Sequence, residues 1–355
     1  MKIIQIIPDL NLAGGQIMCE NLSCELQKLG QEIKIISLYT TDSPIAQRLK
    51  ENDVDIIFLD KKRGLDLSII SKLRRILKKE KPDVIHTHLN AFMYLRLALF
   101  GIRCGKVVHT FHSMANKESL AYLPEFIRRP IKKGKVTPVA LSATVQQSIA
   151  DMYGLDVHKI PVVLNGLDLS KCQIKMDYSI KNDYKILHIG RFSNEKNHIG
   201  LIKAFDILHS KYPNTRLCLI GEGSLKEEVE AYVNELGLSH CVDFMGKQGN
   251  VYPFLNDADV FVLPSIVEGI PITLIEAIGT GLPMVATKVG GVPDMITHNV
   301  TGLLCDVDVN QIAKCLETYY LDSNLRASHG TAALNSSGRF SSREMARGYL
   351  EIYQS

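Results

Sequence analysis

Two stretches of this chain hold residue types suited to a phosphorylated, hydroxyl-rich ligand. The first is Ser265-Ile266-Val267-Glu268-Gly269-Ile270-Pro271-Ile272-Thr273-Leu274-Ile275-Glu276-Ala277. A strand-like run, Val260–Leu263, stops at Pro264, and Gly269 with Pro271 suits the start of a helix, proline being tolerated in a first turn. Backbone N–H groups at such a start favour an anion such as a diphosphate. Glu268 falls just before the helix and Glu276 about a turn and a half inside it. The two carboxylates can therefore hydrogen-bond hydroxyls of different rings on either side of the phosphates. The competing reading is one carboxylate favoured by the helix dipole and one ordinary exposed helical glutamate. The second stretch is Gly190-Arg191-Phe192-Ser193-Asn194-Glu195-Lys196-Asn197, directly after the strand-like Lys185–Ile189. Arg191 can fork onto phosphate oxygens and Lys196 adds a point charge, a pair able to stabilise a leaving diphosphate as a divalent metal does elsewhere. A solvated surface lysine is the alternative for Lys196.

Other groups are less specific. Gly14-Gly15 stands between a strand and a helix, where backbone can approach a phosphate or sugar, yet the full GxGxxG pattern is absent and a simple turn explains it as well. Gly221-Glu222-Gly223 has no Walker lysine, which disfavours nucleotide hydrolysis of the P-loop kind. His86, His88, His109 and His112 crowd the strand ends of the first half. His112, in Thr110-Phe111-His112-Ser113, falls just past its strand, His88 in a loop, and His109 inside a strand as a structural group. Two runs are basic. Lys72, Arg74, Arg75, Lys78, Lys79 and Lys81 surround the apolar stripe Ile69, Leu73, Ile76 and Leu77, and Phe126–Lys135 alternates apolar and basic residues. Contact with an anionic lipid surface fits both, as does a core-packing helix with a solvated basic face. No nucleic-acid module accompanies the charge.

The elements that must position these residues repeat. Ile3–Ile7, Glu32–Leu38, Val54–Leu59, Asp83–His86 and Lys106–Phe111 read as buried parallel strands, with helices such as Gln16–Leu29 and Leu67–Lys79 between them. The pattern restarts with Lys185–Ile189, Thr215–Ile220, Cys241–Met245, Val260–Leu263 and Met284–Thr287, separated by helices near Ile199–Lys211, Leu225–Leu236 and Ile272–Gly279. A polar segment, Asn165–Asp183, reads as the linker, and a last helix, Ser341–Tyr353, follows the second series. Two Rossmann-like units in 355 residues predict ligands beyond the carboxyl ends of the strands, in a cleft between the halves. Met1–Asp168 holds 24 Lys and Arg against 17 Asp and Glu, and the remainder 17 against 21, so a half of +7 joins one of −4. That asymmetry suggests an anionic partner for the first half. With 46% apolar and 22% charged residues the chain reads as soluble and globular. The apolar run at the N-terminus is too short for a signal peptide, and none approaches the length of a membrane span. The eight cysteines show no CxxC pair and no zinc-like spacing with histidine, so they read as reduced thiols in a cytoplasmic protein without a structural metal.

These stretches together resemble the family 4 retaining glycosyltransferases, which have the GT-B fold. The match is strongest over Lys185–Leu304. It takes in Gly190-Arg191 with Lys196, Glu268 followed after seven residues by Glu276, Ala277–Thr287, Gly290-Gly291-Val292-Pro293 and Thr301-Gly302-Leu303-Leu304. The first half matches more loosely, through Gly14-Gly15, Asp83–His88, Thr110–Ser113 and Asn165-Gly166-Leu167-Asp168. Asp294 and Ile270 depart from the family, which commonly has Glu and an aromatic there.

The resemblance implies an α/β protein of two Rossmann-like domains facing each other across a deep cleft. Residues 1–168 would form the acceptor domain and 169–340 the donor domain, with helix 341–355 packing back on the first. It implies that Arg191 and Lys196 bind the donor diphosphate, Glu268 the hydroxyls of the transferred sugar and Glu276 the ribose. Backbone amides over Gly269, Ile270, Pro271, Ile272 and Thr273 would cover sugar and phosphates, and the segment of Gly246, Lys247 and Val251 would border the base. Gly14 and Gly15 would approach the donor. His112 matches a histidine that some members place beside the reacting carbon, and His88, His112 and Ser113 would border the acceptor. The activity implied is transfer of a sugar, with retention of configuration and without metal or other cofactor, from a nucleotide-diphosphate sugar (a UDP-sugar) to a glycan or lipid-linked acceptor. The setting implied is bacterial surface-polysaccharide assembly at the inner face of the membrane. A nucleotide-sugar epimerase of related fold and a non-catalytic partner subunit are the competing classes. All four of Arg191, Lys196, Glu268 and Glu276 are present, which speaks against the latter.

Overall fold

The computed structural model describes residues 1–102, 104–118 and 125–355, apart from the side chains of Phe126 and Ile127. These residues form two compact units, Met1–Leu167 with Phe340–Ser355, and Asp168–Arg339.

In the first unit, β1 (Lys2–Ile7), α1 (Gly14–Lys28), β2 (Glu32–Ser37), α2 (Pro44–Glu51), β3 (Asp55–Phe58) and α3 (Ser68–Glu80) are followed by β4 (Val84–His88), α4 (Ala91–Ala98), β5 (Lys106–Phe111), α5 (Glu125–Lys132), β6 (Thr137–Ala140) and α6 (Ala143–Tyr153). The strands pair in parallel in the order β3-β2-β1-β4-β5-β6. Ile3, Ile4, Ile6 and Ile7 of β1 are all fully buried, because helices cover both faces of the sheet.

The second unit repeats the plan with β7 (Tyr184–Ile189), α7 (His198–Lys211), β8 (Thr215–Ile220), α8 (Lys226–Glu235), β9 (Val242–Phe244), α9 (Tyr252–Asp257) and β10 (Val260–Leu263). It continues through α10 (Ile272–Thr280), β11 (Met284–Thr287), α11 (Val292–Met295), β12 (Leu303–Cys305), α12 (Val309–Leu321) and α13 (Ser323–Asn335). Its order, β12-β11-β10-β7-β8-β9, is the same Rossmann order counted from the other edge. The last helix, α14 (Ser342–Gln354), belongs to the first unit. There Met345, Ala346, Tyr349, Ile352 and Tyr353 enter the core shared with Met18, Cys19, Leu22 and Leu26 of α1. Leu167 N donates to Phe340 O at 2.9 Å and Ser342 N to Leu167 O at 2.7 Å, so the departing and returning chains pair side by side.

Four details differ from the reading of the sequence. The edge strand β6 contains Pro138, which lacks an N–H and is tolerated only where a ladder hydrogen bond is dispensable. The other unforeseen strand, β12, is an edge of only three residues. His88 is not in a loop: it ends β4, opposite Thr110 of β5. Nor is Asn165–Asp183 a free linker. Lys175 donates from its backbone to Thr280 O (2.8 Å) and from Nζ to Asn256 O (3.3 Å), Tyr178 Oη donates to Gly281 O (3.0 Å), and Cys172 Sγ presses on Gly279. This strap lies on α10 and covers it.

Candidate functional site

In each sheet the order reverses between two central strands, β1 and β4 in one and β7 and β10 in the other. Ligands of open α/β sheets bind beyond the carboxyl ends of the strands at such reversals. The two stretches singled out for chemistry in the second half are the loops leaving β7 and β10.

Backbone contacts hold these loops in place. Gly190 N donates to Ile220 O (2.9 Å) and Phe192 N to Glu222 O (3.1 Å), which sets the loop after β7 against the loop after β8. A Cβ on Gly221, at φ +150°, would lie 1.9 Å from Gly190 O, so only glycine permits this approach. The loop after β10 is tied to its neighbour by Ile266 N donating to Glu195 O (2.7 Å). It is held from the other side by Gly290, whose Cβ would stand 1.8 Å from Glu268 O.

Within this frame Lys196 Nζ lies 2.6 Å from Glu268 Oε1, and Ser265 Oγ donates to the same oxygen at 2.6 Å. The sequence reading gave Lys196 and Glu268 separate ligand groups; here they are each other's partner. Lys196 keeps two further N–H groups, and Glu268 its second oxygen, so each can still engage a ligand. Arg191 is exposed on the same loop as Lys196. Ser265, buried at the end of β10, is a member that sequence reasoning missed, although its place three residues before Glu268 was a usable signal. His188 of β7 is another. Its Nδ1 donates to Val262 O at 2.9 Å, while Nε2 has no partner among the described residues and faces Gly190.

Pro271 is the N-cap of α10 rather than part of its first turn. No side chain caps the helix and no acid occupies its first turn, a start suited to an anion. Ile272 is buried, Thr273 is part-exposed, and Gly269 and Ile270 precede them. Glu276 is not the exposed helical glutamate of the competing reading. It is 9% exposed, and burial pushes its carboxyl up to about 8. Its carboxyl has no hydrogen-bond partner among the described residues. Gly246 adopts φ +64° and accepts from Gly221 N at 2.9 Å, so it abuts the loop after β8; Lys247 is exposed, and Val251 is the N-cap of α9.

In the first unit His112, Ser113, Gly14 and Gly15 come together beside the ends of β1 and β5. A Cβ on Gly15 would lie 3.3 Å from His112 Nδ1, so the ring rests on the start of α1. Glu118, unforeseen from sequence, is buried and accepts from His112 N (2.7 Å) and Ser113 N (3.0 Å). Burial raises its carboxyl to about 7 despite those two donors. His88 Nδ1 lies 3.1 Å from His112 Nε2. His86 meets Tyr353 and Thr110, and His109 meets Thr87, so both are internal structural groups. Burial holds His88 well below its usual range and His112 at about 4, leaving both rings neutral at pH 7.

The charges of the two basic runs divide between paired and exposed. Ile69, Leu73 and Leu77 are core residues, and Arg74 donates to Ala98 O and Phe100 O at the end of α4 while Lys72 donates to Leu59 O. The charges left at the surface of α3 are Arg75, Lys78, Lys79 and, at its end, Lys81; Leu65 and Leu67 stand exposed just ahead of them. In the second run Glu125 pairs with Arg128 and Lys132, and Phe126 and Ile127 lie outside the described side chains. Among the described residues no helix is long and apolar enough to cross a membrane. All eight cysteines are free thiols. Only one group, His209, His240 and Cys241, brings three metal-type donor atoms within 4.8 Å among the described residues. It lies at the strand-start edge of the second sheet, the opposite end from Glu268.

Two units of Rossmann order with the candidate groups at their strand ends define the GT-B glycosyltransferase architecture. Residues 12–171 match the model of Glycosyltransferase Family 4 and residues 173–335 that of Glycosyl transferases group 1; the chain belongs to this family, which sets the epimerase reading aside. It is 30% identical over 338 residues to the Campylobacter jejuni enzyme named GalNAc-alpha-(1->4)-GalNAc-alpha-(1->3)-diNAcBac-PP-undecaprenol alpha-1,4-N-acetyl-D-galactosaminyltransferase, covering 92% of this chain and 90% of that one. It is 29% identical over 303 residues to N-acetyl-alpha-D-glucosaminyl L-malate synthase of Bacillus anthracis, covering 81% and 78%. In fold it is similar to Anabaena HepE, solved in complex with UDP and glucose, at a TM-score of 0.85 and 18% identity over the whole of both chains.

Proposed function

We propose that the protein transfers a sugar, with retention of anomeric configuration, from a UDP-sugar to a lipid-linked or glycan acceptor in surface-polysaccharide assembly. The observation that carries the donor site is Glu276. A buried carboxyl without a protein partner is costly to the fold, and here it stands on the helix whose uncapped start adjoins Lys196 and Glu268. A nucleotide diphosphate satisfies all of these at once. Its ribose hydroxyls meet Glu276, and its phosphates meet Arg191, Lys196 and the amides from Gly269 to Thr273. The base lies along Gly246, Lys247 and Val251, and the hydroxyls of the transferred sugar meet Glu268. The Anabaena complex with UDP and glucose supports the choice of nucleotide.

In the reaction the bond between the anomeric carbon and the diphosphate oxygen breaks, and a bond to the acceptor oxygen forms on the same face. The acceptor's proton passes to the departing phosphate oxygen. Arg191 and Lys196 stabilise the charge that develops there, the work of a preorganised electrostatic site. No enzymic nucleophile is needed; His112 and Ser113 are the groups of the first unit left to serve the acceptor and the reacting sugar, whereas His88 is fully buried with both ring nitrogens engaged and cannot reach an acceptor. The Campylobacter relative's name gives an undecaprenol-diphosphate acceptor. The exposed Arg75, Lys78, Lys79 and Lys81 would bring the first unit to an anionic leaflet holding such a lipid. The test is a panel of nucleotide sugars. The cognate donor should raise the melting temperature most, and its product on a lipid-diphosphate sugar should keep the donor's anomeric configuration. An inverted product would overturn the mechanism, and absence of transfer from every donor would leave a non-catalytic subunit.

A further inference from the structure

Beneath His112 a chain of buried polar groups runs through the first unit with nothing in the proposed reaction to explain it. Gln5 of β1 and His88 of β4 are fully buried, as are Cys19 and Ser23 of α1. Gln5 Nε2 donates to Ser23 Oγ (2.8 Å), and Gln5 Oε1 accepts from the Cys19 thiol (3.3 Å). The same amide oxygen lies 2.8 Å from His88 Nε2. An amide oxygen only accepts, so His88 must carry its proton on Nε2 and present a bare lone pair on Nδ1. That lone pair faces His112 Nε2 at 3.1 Å, and this nitrogen must in turn be the protonated one. The remaining nitrogen, His112 Nδ1, is then unprotonated. It is the nitrogen beside Gly15, whose missing Cβ lets the ring approach, and His112 is the part-exposed end of an otherwise buried chain.

We infer that Gln5 and His88 are positioning residues, which fix His112 in the Nε2–H tautomer so that its Nδ1 is offered as a hydrogen-bond acceptor to a substrate hydroxyl at the start of α1. Glu118 completes the arrangement from the other side by holding the backbone N–H groups of His112 and Ser113, so both the ring and the loop that carries it are fixed. A neutral acceptor suits a hydroxyl, which donates to it without any charge having to be buried. The inference rests on the role proposed for His112 in the transfer. Ordinary core packing asks for none of this polarity, since apolar residues of the same shape would fill the space between β1, β4 and α1 at no desolvation cost.

The test reads the tautomer directly, by long-range nitrogen–proton NMR on the full chain with labelled histidine side chains, the His112 signals assigned from their loss in His112→Ala. The wild type should show His112 with its proton on Nε2. In Gln5→Met, His88 loses the acceptor that selects its tautomer, and His112 should populate both forms. Its kcat should fall on the order of tenfold or more with the donor KM unchanged, the scale on which outer partners of a functional histidine act. His88→Asn keeps an amide oxygen where Nδ1 was, and should retain the His112 tautomer. His112 protonated on Nδ1 in the wild type would overturn the relay, a result that needs no variant to fold. Full turnover in His112→Ala would instead overturn the role proposed for His112, and with it the purpose of the relay.

Discussion

Replacing Glu276 by Gln should make the ligand-free protein more stable and the enzyme worse. The carboxyl titrates at about 8 in the folded chain against 4.5 for an unperturbed glutamate, because burial penalises its charged form. A folded pKa above the unfolded one means that the stability of the protonated group is fully present below about pH 4.5. It declines as pH rises and is lost once pH passes 8. The interval is about 3.5 pH units at 1.36 kcal/mol each, so the loss is on the order of 5 kcal/mol above pH 8 and 3 kcal/mol at pH 7. Glutamine has the same shape and no proton to lose. Melting temperatures of wild type and Glu276→Gln should therefore nearly coincide at pH 5 and separate as pH rises. At pH 7 the variant should be higher by about 6 to 12 °C for a unit of this size. Saturating UDP should narrow or reverse the gap, because the wild-type carboxylate gains two ribose hydroxyls that the amide holds less well. A variant less stable than wild type at pH 8, or a gap that ignores pH, would refute the reasoning. It would mean that a protein group already satisfies the carboxylate.

Lys196→Ala should lower turnover on the order of a hundredfold or more, as loss of a transition-state donor does. It should also lower the melting temperature, since Glu268 is then left buried beside Ser265 alone; adding Glu268→Gln should restore the melting temperature without restoring activity. Transfer should persist in excess EDTA, and complete loss rescued by magnesium or manganese would show that Arg191 and Lys196 do not carry the leaving group. Changing Arg75, Lys78, Lys79 and Lys81 to Gln should abolish co-sedimentation with anionic vesicles at low salt, each charge being worth about 1 kcal/mol near such a surface. Wild type that binds neutral vesicles equally well would make those charges a solvated face. Arg74 is excluded from that set because its guanidinium caps α4.

The α/β plan was legible because parallel strands covered on both faces read as unbroken apolar runs, as Ile3–Ile7 and Val260–Leu263 do. Where a strand is an edge the signal fails. Thr137–Ala140 contains a proline, and Leu303–Cys305 is too short to show a period. Glu276 was visible as a residue but its burial was not, since Cys172, on a segment polar enough to read as a linker, lies beside it and against the same helix. The pairing of Lys196 with Glu268 joins residues 72 apart and depends on which strands neighbour each other, information that periodicity does not hold. His88 read as a loop residue because β4 outlasts its apolar run, ending in the polar pair Thr87-His88 that the neighbouring histidines satisfy.

Both units share one strand order, so topology alone does not decide which of them receives the nucleotide. In the proposed reading the electrostatic content of the two strand-end sites assigns it to the second. The second unit gathers Arg191, Lys196 and an uncapped helix start, fixed positive charge that suits a diphosphate and its leaving group. The first unit offers histidines that burial keeps neutral. A neutral imidazole gains little from a phosphate but can accept from a hydroxyl, the group that a sugar or an acceptor presents. In the proposed division of labour, substitutions at Lys196 and at His112 therefore act on different kinetic constants. Lys196→Ala should weaken UDP itself as well as slow transfer, whereas His112→Ala should leave UDP affinity intact and lower kcat alone. UDP binding that falls with His112→Ala and holds with Lys196→Ala would place the diphosphate on the first unit and reverse the assignment.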